Sequence, residues 1–287
     1  SVLRQEQRAV CRVFENTSKD MPTVTFASDP KSPPLKWAGG KRWQVPQLRP
    51  LWTDHTQCRL VEPFCGGLAV TLGLKPRRAL LNDVNPHLMN FYRWLKKGLK
   101  CEITMKNDAA LFTVHRTRFN ALLRDGKSHT REAASLFYYL NRTGYNGLCR
   151  FNRRDEFNVP FGRYKTIHYT HDFLTYRKVF DHWKLTSEDF SDLALQPTDF
   201  VYADPPYDVQ FTAYAKEGFT WDDQVRTAEW LVEHPGPVIL VNQATRRICA
   251  LYRRLDYTIR YLDAPRRISS NGDRTPVREI LATRNLT

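Results

Sequence analysis

The sequence predicts an open α/β sheet carrying a separate inserted segment, and three observations predict it. First, the apolar runs at 59–64, 79–83, 199–203 and 237–242 lack the alternation of a half-exposed strand. Such runs read as strands buried on both faces, as in a parallel sheet covered by helices. Second, Asp199-Phe200-Val201-Tyr202-Ala203 runs directly into Asp204-Pro205-Pro206-Tyr207. Two prolines end a strand ladder and fix the backbone, and open α/β sheets bind ligands beyond the carboxyl ends of their strands. Third, the composition changes between 101 and 185, where helical patterns flank a turn-rich stretch.

The Asp204 stretch places a carboxylate, a carbonyl with no N–H beside it and an aromatic face at one edge. Those groups suit a planar amine: two acceptors for its hydrogens and a ring to stack on. Taken alone, the tetrapeptide is equally an ordinary strand followed by a proline turn.

The chain has 287 residues and 41% hydrophobic content, enough for a substantial core. Its 44 Lys+Arg against 30 Asp+Glu give a net charge of +14, which favours a polyanionic partner. No apolar run is long enough for a membrane span, and the first residues lack the order of a signal peptide. Cys11, Cys58, Cys65, Cys101, Cys149 and Cys249 are scattered, without zinc spacing. Reduced thiols in a cytoplasmic protein are therefore expected, with no metal and no membrane.

Residues 1–32 carry weak helical signals (Leu3, Val10, Val13, Phe14) and a Ser/Asp/Pro/Thr-rich stretch, and read as an extension. Next comes Pro34-Leu35-Lys36-Trp37-Ala38-Gly39-Gly40-Lys41, with paired glycines, a flat indole and two lysines. It reads as a close approach to a ligand or as a turn before a helix. The run Arg59 to Phe64, then Cys65-Gly66-Gly67, reads as strand, tight turn and helix. A second strand, Ala79 to Asn82, ends at the acid Asp83. A glycine turn after one strand and an acid at the tip of the next is how nucleoside cofactors are held: Gly66 and Gly67 admit the ligand and Asp83 accepts from ribose hydroxyls. The dinucleotide fingerprint is absent, so a nicotinamide cofactor is not favoured. Asn85-Pro86 reads as N-cap and first-turn proline of a helix ended by Gly98.

Helices are predicted at 109–123 and 131–140, followed by the turn-rich stretch from Asn141 to Lys165. Arginine, asparagine and aromatic residues interleave there, as suits nucleic acid; a solvated hairpin with surface arginines is the alternative. A loop over 211–221, a helix at 222–233 and a strand at 237–242 follow. Arg266 to Gly272 reads as a phosphate contact or a basic surface loop.

These residues together resemble the Dam-type DNA adenine-N6 methyltransferases that modify GATC. The resemblance spans about residues 33–285 and rests on Leu35 to Lys41, Val61 to Phe64, Asp204 to Tyr207, Gly144 to Tyr164 and Ser269 to Gly272. It implies a methyltransferase-type, Rossmann-like α/β sheet with a helical and hairpin DNA-recognition insertion. Residues 33–100 and 186–287 would form the catalytic domain and 101–185 the recognition domain. The implied cofactor is S-adenosylmethionine, with Trp37, Lys41, Phe64, Gly66, Asp83 and Asp204 around it. Asp204, Pro205, Pro206 and Tyr207 would form the catalytic stretch, acting on an adenine flipped out of the duplex.

The resemblance also assigns DNA contacts. Tyr145 would wedge into the duplex and Asn146 would meet the orphaned base. Arg150 would read a guanine, and Leu148 and Pro160 a thymine methyl. Lys36 would contact the other flank and Arg163 a phosphate, with Ser270 and Asn271 also on DNA. Double-stranded DNA is the expected partner of a chain that is monomeric in solution. It would work in the cytoplasm, on a nucleoid or as a viral protein, within or outside a restriction-modification system. Two departures stand out: Leu68 occupies a turn position usually held by glycine, and the segment between Tyr207 and Phe211 is short. Another adenine site, cytosine N4, or a catalytically silent DNA-binding regulator are the alternatives.

Overall fold

The computed structural model describes residues 32–208, 218–264 and 277–286. A 3-10 turn, Arg42–Gln44, leads into α1 (Val45–Thr53), then β1 (Leu60–Glu62), α2 (Ala69–Leu74), β2 (Ala79–Asn82) and α3 (Pro86–Lys96). The middle of the chain gives α4 (Ala109–Arg124), α5 (Arg131–Thr143) and α6 (Leu174–Phe180). Then follow β3 (Trp183–Thr186), β4 (Phe200–Ala203), α7 (Trp221–Val232), β5 (Val238–Gln243), α8 (Arg246–Arg254), β6 (Thr258–Ala264) and β7 (Val277–Arg284).

The strands form one sheet in the order β3-β2-β1-β4-β5-β7-β6. The pairs from β3 to β5 are parallel, and β7 runs antiparallel to both β5 and β6. Every residue of β1, β2 and β4 is buried, as their unbroken apolarity predicts. β1 pairs with β2 on one side and β4 on the other. The strand order therefore reverses direction between β1 and β4, which opens a crevice at their carboxyl ends. Glu62 closes β1 there, and Asp204 follows β4.

The caps of α3 read from sequence are in place, and the structure adds one on α7. The Asn85 side chain accepts from the His87 and Leu88 N–H groups, with Pro86 at the first helical position. Gly98, at φ +80°, follows the end of α3. Thr220 and Asp223 form a reciprocal capping box on α7.

Other features differ from expectation. α5 runs on to Thr143, so Asn141, Arg142 and Thr143 are helical and not part of the turn-rich arm. The reason is burial: Asn141 and Thr143 are inaccessible, and Asn141 is bonded on both sides of its amide by the Lys36 backbone. β3 straddles the end of the 101–185 segment and pairs with β2, so the sheet reaches into that segment. The β6–β7 ladder has no apolar signature, since most of β6 is partly or fully exposed.

One core binds the sheet to the middle segment. Phe91 of α3 stacks on Tyr138 of α5 at 5.8 Å and meets Phe173 edge-on at 5.7 Å. Phe112 and Phe119 of α4 join the same buried cluster. No helix among the described residues is long and apolar enough to cross a membrane. No group of three His, Cys, Asp or Glu side chains among them could hold a metal ion.

Candidate active site

A cavity of about 700 Å³ fills the crevice beyond β1, β2 and β4, a size typical of small-molecule sites. One end is ionic. Asp204 lies there, pushed up to about 7 by burial, with Lys41 pulling it down and Glu279 adding repulsion. The Lys41 ammonium is 3.6 Å from Asp204 Oδ1, 3.4 Å from Glu279 Oε1 and 4.3 Å above the Tyr207 ring. Lys41 lines the cavity, but its charge is already shared by two carboxylates. The Tyr207 hydroxyl is buried with no hydrogen-bond partner among the described residues. Glu62 is fully buried, receives a hydrogen bond from the Thr71 hydroxyl and is pushed up to about 8 by burial.

The backbone of the Asp204 stretch is pinned from behind. Gln224 Nε2 donates to the Pro206 carbonyl at 2.6 Å, and Asn242 Nδ2 donates to Gln224 Oε1 at 2.8 Å. The Asp208 N–H donates to Asn242 Oδ1 at 3.3 Å, while its carboxylate receives Thr245 and Arg247. The Pro205 carbonyl accepts no hydrogen bond among the described residues. Asp204 and Pro205 are therefore two acceptors held at fixed positions on the cavity wall.

The other end is aromatic. Phe64 lies 5.4 Å from Phe190 and 5.6 Å from Phe219. Arg226 covers the outer face of Phe190 at 4.3 Å and pairs with Asp189. Between the ends, Asp83 receives the Gly66 N–H at 3.1 Å and the Asn85 N–H at 2.9 Å, and burial raises its carboxyl.

The glycines need a different explanation from the one their spacing suggested. A Cβ on Gly66 would lie 2.7 Å from Trp37 Nε1, and one on Gly67 would lie 2.7 Å from Trp37 Cβ. They make room first for the indole, which itself lines the cavity. Flat aromatic walls, an acid with unused acceptor capacity and a glycine–indole floor fit an adenosyl-type cofactor.

The cavity is flanked by an irregular two-stranded arm. Thr143 and Gly162, Tyr145 and Pro160, Arg150 and Asn158, and Asn152 and Glu156 are joined by single backbone hydrogen bonds. Phe157 and Val159 anchor the arm in the core. Tyr145, Leu148, Arg150, Pro160 and Arg163 are exposed on it, and Asn146 is partly buried at φ +52°. Arg150 Nε donates to Asn158 Oδ1 at 2.8 Å, which braces the guanidinium. The arm docks on the cavity rim: Cys149 Sγ accepts from Asn85 Nδ2 at 3.3 Å, and Phe151 stacks on His87 at 4.8 Å.

Lys36 packs against the turn of this arm. A Cβ on Gly147 would lie 2.4 Å from Lys36 Cβ. The Lys36 ammonium donates to the Arg142 carbonyl at 2.9 Å and covers the Tyr164 ring at 3.4 Å; burial, with help from Arg142, lowers it to about 8. A single peptide bond thus links the residue touching the arm to Trp37 on the cavity wall.

The structure brings Trp37, Lys41, Phe64, Gly66, Asp83 and Asp204 to Tyr207 into one cavity. It gathers Lys36, Tyr145, Asn146, Leu148, Arg150, Pro160 and Arg163 on or beside one arm. Ser270 and Asn271 lie outside the described residues, as do most of the 211–221 loop and nearly all of the N-terminal extension. Sequence reasoning missed Glu62, Asp189, Phe190, Phe219, Arg226 and Glu279. Glu62 stood inside a recognised run, an acid among apolar neighbours, and was the one with a usable signal.

The family model described as D12 class N6 adenine-specific DNA methyltransferase matches residues 37–268. The chain is 36% identical over 265 residues to the Retron Ec67 DNA adenine methylase of Escherichia coli, covering 86% of this chain and 90% of that protein. It is 34% identical over 268 residues to a DNA adenine methylase of Escherichia coli, covering 86% of this chain and 93% of that one. A DNA adenine methylase of Vibrio cholerae is 34% identical over 269 residues, covering 86% of this chain and 94% of its own length.

Proposed function

The chain belongs to the D12 class of N6 adenine-specific DNA methyltransferases, and from that premise we propose that it methylates adenine N6 within GATC in duplex DNA, with S-adenosylmethionine as donor. Membership makes it an enzyme acting on DNA adenine; the site, the donor and the residue roles are the proposal. The observation that carries it is the pair of fixed acceptors, Asp204 and the Pro205 carbonyl, on a cavity that also offers the Tyr207 ring.

An adenine N6 amine is a poor nucleophile because its lone pair is delocalised into the ring. Asp204 and Pro205 each accept one of its hydrogens, which holds the nitrogen away from planarity and localises the lone pair. Tyr207 stacks on the base, and Pro206 stiffens the stretch. Lys41 and Glu279 keep Asp204 in place, and the Gln224–Asn242 pair keeps the backbone rigid. Preorganisation of this kind supplies most of the rate. S-adenosylmethionine, when bound, supplies an electrophilic methyl group. Trp37, Phe64 and Gly66 would hold it together with the aromatic end of the cavity, and Asp83 would take its ribose hydroxyls.

The base must leave the duplex to reach the cavity. Tyr145 fills the gap it leaves, and Asn146 meets the orphaned partner. Arg150 reads guanine, Leu148 and Pro160 touch a thymine methyl, and Arg163, Ser270 and Asn271 contact the DNA backbone, with Lys36 on the other flank. On this reading 33–100 and 186–287 carry chemistry and 101–185 carries recognition. The enzyme acts as a monomer in the cytoplasm, on a nucleoid or on viral DNA.

The test is to map modified bases in DNA from cells expressing the chain and otherwise lacking adenine methylation. N6-methyladenine confined to GATC is expected. Methylation at another adenine context removes the GATC assignment, and methylcytosine alone overturns the target.

A further inference from the structure

Glu279 lies on β7, outside every motif read from the sequence, yet it is buried against the ionic end of the cavity. Its surroundings define its state. The Tyr202 hydroxyl donates to Gln44 Oε1 at 2.8 Å, and burial raises that phenol well above its ordinary range. The fully buried Gln44 amide is thereby oriented, and its Nε2 donates to Glu279 Oε2 at 2.9 Å. The other oxygen, Oε1, receives the Lys41 ammonium at 3.4 Å. Glu279 thus receives a hydrogen-bond donor on each of its two oxygens, which fixes the side chain in place.

We propose that Glu279 is a positioning residue for methyl transfer: anchored by Gln44 and Tyr202, it divides the charge of Lys41 between itself and Asp204. A lysine ammonium on its flexible stem would otherwise reach for water. Here it is fixed 3.6 Å from the amine acceptor. The division also keeps Asp204 from being a fully neutralised, weak acceptor. The inference rests on the reading of Asp204 as the acceptor of the adenine amine.

The groups interacting with Asp204 come from several elements. Lys41 and Glu279 act on it directly. Glu62 closes β1 and is pushed up to about 8 by burial, with Asp204 adding repulsion. Tyr202, Tyr207 and Tyr252 are phenols raised by burial and stay neutral. The charges acting directly on Asp204 are those of Lys41 and Glu279, and their removal has opposite signs. Glu279→Gln removes repulsion and leaves the ammonium to Asp204 alone. Lys41→Met removes the attraction and keeps the apolar stem.

The experiment uses the full chain labelled with carbon-13 at the Asp side-chain carboxyls, with the Asp204 signal assigned by its loss in Asp204→Asn. The wild-type midpoint is expected near 7. Glu279→Gln should lower it by about one unit and Lys41→Met should raise it by about one unit. The acid limb of kcat on a GATC duplex should move with each. Gln44 can turn over to receive the new amide because the Tyr202 hydroxyl accepts as well as donates. Should Glu279→Gln still fail to fold, Gln44→Met removes only the anchor; a severalfold fall in kcat at unchanged KM supports the inference, and an unchanged kcat overturns it. An unmoved midpoint in Glu279→Gln, or one moving the same way as in Lys41→Met, overturns it while an inactive Asp204→Asn leaves the acceptor reading intact. Near-normal turnover by Asp204→Asn overturns both.

Discussion

The crevice at Asp204 and the arm from Gly144 to Arg163 treat their side chains in opposite ways. In the crevice, Lys41, Gln44, Tyr202 and Glu279 are paired with one another and shut away from water. What is left unsatisfied there among the described residues is the Tyr207 hydroxyl and the acceptors aimed at the cavity. On the arm, Tyr145 is 49% exposed and Leu148 36% exposed, and backbone contacts are scattered single bonds. An apolar ring left in water on a narrow turn gives no stability to the free protein; it is useful where a partner covers it. On the proposed function the crevice is built before substrate arrives, whereas the arm would be completed by it. Truncation in the crevice should therefore cost rate, and truncation on the arm should cost discrimination.

The largest effect is expected at Asp204. Asp204→Ala removes one of two fixed acceptors and should lower kcat by about a hundredfold to a thousandfold. The fold should persist, since Lys41 keeps Glu279 as a partner. Single-turnover methyl transfer measures this; near-normal turnover with the variant folded would falsify the role.

Arg150 tests the other side of the comparison. An arginine matched to the O6 and N7 of guanine discriminates by about 1–3 kcal/mol, roughly tenfold to a hundredfold or more. Asn158 already braces the guanidinium at 2.8 Å, so little ordering is left for binding. Arg150→Ala should flatten the preference for GATC over sites altered at guanine, while turnover on bound DNA survives. The comparison is kcat/KM on GATC and on each singly altered duplex at one salt concentration. A uniform loss across all of them would make Arg150 a backbone contact.

Acidity gives a smaller effect in the crevice. Asp204 is raised to about 7, so its proton is bound below that pH and lost above it. The carboxylate is the better acceptor, so kcat should rise with pH between about 6 and 8. At one unit below the midpoint only about a tenth of the group is ionised, so the fall is about tenfold. Asp204→Asn should show a flat, low profile over that range; a wild-type profile already flat there would remove Asp204 as the group responsible.

The two regions also differ in how much of them was legible from sequence. The crevice strands announced themselves because strands buried on both faces need continuous apolar runs, and Asp204 to Tyr207 follows one of them directly. Glu279 was invisible because it stands between Arg278 and the short apolar run Ile280-Leu281-Ala282 and acquires its place only through the pairing of β7 with β5. Asp189 and Phe190 were missed for a similar reason: they follow β3, a four-residue strand with one fully buried position. On the arm, composition marked out the irregular segment but set its start too early, since only the tertiary contacts of Asn141 and Thr143 reveal that α5 continues. The glycine turn was legible as a turn, but its reason was not, because Trp37 comes from a distant part of the chain.

The last difference concerns left-handed backbone and should have the least effect on methylation. The arm has Asn146 and Asp155 at positive φ, residue types that tolerate it, and also Arg163 at φ 50°, and all three are at least partly exposed. The crevice puts Leu68 there, at φ 61° and ψ 24°, with its side chain wholly buried at the start of α2. A left-handed leucine costs about 1–2 kcal/mol of backbone strain. Glycine would relieve it, but removing a buried leucine side chain costs about 2–5 kcal/mol. Burial outweighs strain, so Leu68→Gly should lower stability despite relaxing the turn. Leu68 N–H and C=O bond to Cys65 and Leu72, and glycine preserves both contacts. The turn that carries Gly66 and Gly67 therefore keeps its shape, and kcat at a temperature well below unfolding should match the wild type. Chemical denaturation and single-turnover transfer separate the two quantities. A gain in stability would mean that strain, not packing, dominates at Leu68; a fall in kcat would mean that the leucine itself shapes the cavity floor beneath Trp37.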